Sequence, residues 1–128
     1  MKFTQRVFLI AGVFGLAILP AMYFLEGFYG RQVPPPITHP EFFYGFVGVT
    51  LAFQIVYLFI GWDPPRYRPL MLVGALGKGS FVVAVAVLIA VGRVPVGPAL
   101  LVAPDLIFAV LFVYAYVVTG KAGTSSKP

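Results

Sequence analysis

With 128 residues the chain has room for a single domain, and 60% of it is apolar while only 10% is charged, against about 45 to 50% apolar in a soluble domain. Nine Lys and Arg with four Asp and Glu cannot give a globule of this size a polar skin, which sets aside an ordinary water-soluble enzyme. The lack of cysteine excludes disulfides, thiolate catalysis and cysteine-held metal or haem, and the +5 net charge is scattered along the chain, so no nucleic-acid footprint is present.

A bilayer-spanning helix needs about 20 mainly apolar residues. Four stretches qualify, 7–25, 42–61, 70–91 and 99–118. Their short, Pro- or Gly-rich connections predict an all-α membrane protein: one integral membrane domain over 1–128, with four transmembrane helices in an up-down bundle.

In the first span, Lys2 and Arg6 precede the apolar run as they would in a signal peptide. The run is too long for that, however, and Pro20-Ala21-Met22-Tyr23 offers no small-x-small cleavage site. Pro20 is expected to bend or break the helix near its outer end. Ala11 and Gly15, like Ala75 and Gly79 in the third span, read small-x-x-x-small and predict close helix packing. The connection over 26–41 carries Pro34-Pro35-Pro36, a stiff extended run that predicts a strap across the bundle mouth.

The second span holds Thr50, Gln54 and Tyr57 at i, i+4 and i+7, all on one face. The connection Trp62-Asp63-Pro64-Pro65-Arg66-Tyr67-Arg68-Pro69 suits a headgroup level, with Arg66 and Arg68 as anchors on anionic lipid; a docking surface for a protein partner is the alternative. With the N-terminus in the cytoplasm, Lys2, Arg6, Arg66, Arg68, Lys121 and Lys127 fall inside and only Arg31 and Arg93 outside. That distribution predicts both termini cytoplasmic. Residues 119–128 read as a flexible polar tail.

Ionisable residues at membrane depth are functional pointers, because each costs about 2.5 to 3.5 kcal/mol at a helix centre. Lys78 lies about 12 Å from the inner end of the third span and Asp105 about 9 Å from the outer end of the fourth. Their backbone levels then differ by about 10 Å, which leaves open a direct or water-bridged pair on the one hand and snorkelling to opposite ends on the other. Gln54 falls at the height of Lys78 and Thr50 nearer that of Asp105, so Gln54 is the expected neighbour of Lys78. Thr50, Gln54, Lys78 and Asp105 are the candidate ligand-binding residues, and interhelical hydrogen-bond glue is the plainer alternative.

Two motif fragments fail. Gly77-Lys78-Gly79-Ser80 lacks the earlier glycine and the Ser or Thr straight after lysine that a phosphate loop needs. His39-Pro40-Glu41 opens like a zinc deaminase signature without its cysteines. With Glu26 nearby these residues offer at most a weak cation site, and capping of the outer loop is the simpler role. No metal and no cofactor is implied.

The tract Thr38-His39-Pro40-Glu41-Phe42-Phe43-Tyr44-Gly45-Phe46-Val47-Gly48-Val49, with Gln54 and then Asp63-Pro64-Pro65-Arg66-Tyr67-Arg68-Pro69-Leu70-Met71, resembles a set of small bacterial four-helix inner-membrane proteins without an assigned activity. The layout is also loosely similar to DoxX-type four-helix proteins, a likeness of fold that carries no function. The resemblance implies an inner-membrane location and transfers no functional residue; its pattern has an acid before the lysine, where this chain has Gly77.

Three functions are compatible with this sequence. The first is an accessory module or a binding module for a lipid or quinone-like molecule, with membrane lipids, a larger membrane complex or a second copy as partners; here Lys78→Met is expected to spare the fold and weaken retention. The second is a small proton- or solute-handling transporter component, which would need an oligomer. The third is a membrane enzyme on an apolar substrate, which the missing catalytic constellation disfavours.

Overall fold

The computed structural model describes residues 2–32 and 36–125. It is 85% helix, with no strand among the described residues. Four helical stretches are long and apolar enough to cross a membrane. They are α1 (Lys2–Met22), α3 (Pro40–Trp62), α4 (Arg68–Ala90) and Val96–Lys121, the last made of α5 (Val96–Ala99), a 3₁₀ turn (Leu100–Val102) and most of α6 (Ala103–Ser125); a seven-residue α2 (Glu26–Gln32) follows α1.

Proline and glycine punctuate these helices. Pro40 and Pro69 stand in the first turns of α3 and α4, where the missing N–H has no intrahelical partner to lose. Pro20 sits near the end of α1, which stops at Met22 in turns closed by Tyr23 N–H to Pro20 O and Phe24 N–H to Ala21 O. At the end of α4, Gly92 takes φ +76°. Its N–H donates to Ile89 O at 3.0 Å and the Arg93 N–H to Leu88 O at 2.8 Å, so a left-handed glycine satisfies the last carbonyls.

Three expectations need correction. The first connection is not a plain extended strap, because Glu26–Gln32 is helical; Pro34 and Pro35 lie outside the described residues. Residues 119–125 are not a flexible tail either. The α6 helix continues through Ser125, and Thr119, 3% exposed, shares a 2.9 Å hydroxyl hydrogen bond with Thr4. The fourth apolar span begins at Val96 rather than 99.

Consecutive long helices run in opposite directions, so the start of α1, the end of α6 and the 63–67 connection share one end of the bundle, the terminal end. The end of α1, the start of α3 and the 91–95 connection share the far end. The tightest pairs are α1 with α3 and α4 with α6; α1 also meets α6, and α3 with α4 is the loosest seam. Glycine explains the first pair. A Cβ on Gly12 would meet Leu58 and the Gln54 carbonyl, one on Gly15 the Gln54 side chain, and one on Gly61 the Leu9 side chain and backbone. Ala11 is buried too, so the small-residue reading of α1 holds. In α4 the close approach is at Gly74 and Ala75, whereas Gly79 faces open space.

The packed core occupies the terminal half. Phe8 stacks on Phe112 with centroids 4.2 Å apart and Tyr57 meets Phe112 edge-on at 4.9 Å, with Ile60, Met71 and Ala115 buried around them. Many large apolar side chains, such as Ile10, Val49, Leu76 and Val110, point outward and are exposed.

Candidate functional site

Above that core, toward the far end, the bundle is hollow. A cavity of about 530 Å³ opens between the long helices, and Thr50, Gln54, Lys78 and Asp105 all line it. The remaining wall is mainly apolar, with Phe14, Ile18, Phe46, Phe81, Val85 and Leu101, while Tyr29 of α2 and Val94 stand toward the far end. This volume falls within the range of about 300 to 1,000 Å³ usual for small-molecule sites.

The four polar residues arise from local helix geometry. Thr50 and Gln54 are one turn apart on α3, and the Gln54 amide donates to the Thr50 carbonyl at 2.8 Å while lying over Gly15. Gln54 and Tyr57 are both buried, so the shared face read from their spacing is the inward one.

Lys78 of α4 donates to Asp105 of α6 at 2.8 Å, with side chains 13% and 30% exposed. Lys78 is therefore hydrogen-bonded to Asp105 rather than to Gln54, which lines the same cavity, and snorkelling to opposite ends is not adopted. The cause is the start of the fourth span. Counted from Val96 with three residues of 3₁₀ rise, Asp105 lies about 15 Å below the far end, and Lys78 lies about 18 Å below Ala90. The backbone offset shrinks to about 3 Å, which a lysine stem closes easily.

Asp105 stands in the first turn of α6, directly after the 3₁₀ turn. The Lys78 ammonium lies 5.5 Å from the Tyr57 ring centroid and 5.3 Å from that of Phe108, distances at which aromatic faces attract a cation. These two rings are what the sequence reading missed as partners of Lys78. Their signal was positional, since each lies three residues after a polar cavity residue and so on the same helix face.

Other candidates separate. Arg68 is turned inward: its Nε donates to the Tyr116 carbonyl at 2.9 Å and its guanidinium lies 3.7 Å from the Tyr116 ring centroid. Arg68 thus ties α4 to α6, and Arg66 is the exposed arginine of the pair. His39 and Glu41 form an exposed pair at 3.1 Å, but Glu26 instead accepts from the Tyr44 hydroxyl at 2.8 Å. No metal-holding group of three occurs among the described residues. Capping at His39 is by backbone, its carbonyl accepting from Phe42 and Phe43, with no side-chain cap.

What the fold and site define is a small helical bundle with an apolar cavity floored by one ion pair. No family model, curated protein or solved structure matches the chain.

Proposed function

We propose that this chain is a small multi-pass membrane protein that holds an apolar molecule by its polar head, a lipid or quinone-like ligand, in the far half of the bundle. The observation that carries this reading is the Lys78–Asp105 pair on the floor of an otherwise mainly apolar 530 Å³ cavity. An ion pair at that depth costs desolvation that packed apolar residues would avoid. A polar group kept in such a place is a functional candidate by default.

Insertion in a bilayer is supported by the outward-facing apolar side chains of all four long helices, which in water would be an aggregation hazard. The distribution of Lys and Arg between the two ends supports cytoplasmic termini. The resemblance carried by 38–71 supports a bacterial inner membrane. A through-path for a transported solute is disfavoured within one bundle, because Phe8, Tyr57 and Phe112 fill the section below the cavity. An accessory role on a larger complex is compatible with the same site.

Purification of the tagged chain in mild detergent, with mass spectrometry of co-purifying proteins and small molecules, tests the reading. A stoichiometric small amphiphile is expected. Replacing both charges together, Lys78→Met with Asp105→Leu, is expected to keep the bundle and weaken retention about tenfold or more. A stoichiometric protein complex with an empty cavity would move the function to the helix surfaces, and recovery of neither would overturn the binding role.

A further inference from the structure

The cavity floor combines opposite charges in a way that constrains its ligand. Lys78 and Asp105 are the only charged side chains lining the cavity among the described residues, and they touch each other at 2.8 Å. The pair is neutral as a unit, yet neither partner is used up. An ammonium has three N–H donors and a carboxylate two acceptor oxygens, and one donor and one oxygen are engaged in the pair. A donor from Lys78 and an acceptor from Asp105 therefore stand side by side, facing a space whose walls are mainly apolar.

We infer that the ligand, given the binding role proposed above, is an uncharged amphiphile whose head sets a hydrogen-bond acceptor beside a donor, as an amide does. Its acceptor takes the Lys78 N–H and its donor meets the free Asp105 oxygen. A fatty-acid carboxylate is excluded by charge: it would bring a second anion against Asp105 with one cation to serve both, in a site poor in water. A long-chain ammonium meets the mirror problem at Lys78. Gln54 does not rebalance the floor, because its amide is neutral and donates to the Thr50 carbonyl. The apolar part of the ligand lies against Phe14, Ile18, Phe81 and Val85.

Three probes with the same tail and different head charge test this on the full chain in nanodiscs, read by native mass spectrometry: tetradecanamide, tetradecanoate and tetradecylammonium. The wild-type protein is expected to bind the amide about tenfold or more tighter than either ion. Asp105→Asn leaves Lys78 as a lone cation and is expected to shift the preference to tetradecanoate. Val85→Trp narrows the cavity on the far side of the pair and is expected to weaken binding of all three alike.

A wild-type protein that takes tetradecanoate or tetradecylammonium as tightly as the amide overturns the inference while leaving the cavity a binding site. One that takes none of the probes overturns both. A folded Asp105→Asn protein with no gain for tetradecanoate also overturns the charge argument, and if that variant does not fold, the wild-type ranking decides alone.

Discussion

At the scale of residues, the Lys78–Asp105 contact turns two costly charges into one costly pair. Removing one partner strands the other, so the sequence-based expectation that Lys78→Met leaves the fold untouched is revised. Lys78→Met is expected to lower stability by about 2 kcal/mol, less than a fully buried pair would lose because Asp105 keeps 30% of its side-chain surface exposed. Adding Asp105→Leu should recover most of that loss. Thermal unfolding of the two variants in the same detergent measures it, and a double variant no more stable than the single would show that the charges are not coupled. Gly92 offers a second residue-level test. Its φ of +76° makes Gly92→Ala cost about 1 kcal/mol, since a Cβ disfavours the left-handed region, with nothing nearby to clash.

At the scale of elements, glycines on similar apolar helices do opposite things. Gly61 lies against the Leu9 side chain and backbone, so Gly61→Val should separate α1 from α3 and lower stability by about 1 to 3 kcal/mol for overpacking, read as a lower melting temperature. Gly77 and Gly79 in α4 face open space. Their replacement by alanine should be neutral or gain up to about 1 kcal/mol each, the helix-propensity difference. If Gly79→Ala were as damaging as Gly61→Val, the α4 surface would have to be buried against something else. The spacing of Ala75 and Gly79 resembles that of Ala11 and Gly15, and only packing tells them apart. A small residue permits close approach; the opposing helix decides whether it happens.

At the scale of the whole molecule, the single long helix α4 between Arg66 and Arg93 puts them at opposite ends. Because the chain has no cysteine, Arg66→Cys and Arg93→Cys each introduce a single thiol. If the termini are cytoplasmic, a membrane-impermeant maleimide should label Arg93→Cys in spheroplasts, and Arg66→Cys only after permeabilisation; the reverse pattern would invert the topology. Closure of the bundle is also a whole-molecule property. The Thr4–Thr119 bond joins residues 115 positions apart, and Thr119→Val should cost about 0.6 kcal/mol, the average for an interhelical hydrogen bond in a membrane protein.

The sequence by itself determined that the chain is helical, that four stretches are long and apolar enough to span a bilayer, and that Thr50, Gln54, Lys78 and Asp105 are the polar residues to watch. Those properties follow from composition, run length and helix period, all local. Tertiary structure decided the partner of Lys78, the inward turn of Arg68, the burial of Thr119 and the hollow far half. Each depends on the relative height and separation of two helices, and a start three residues earlier with a stretch of 3₁₀ rise moves a side chain by several ångströms. A cavity, moreover, is the space that side chains from several helices leave unfilled, and no single segment records it.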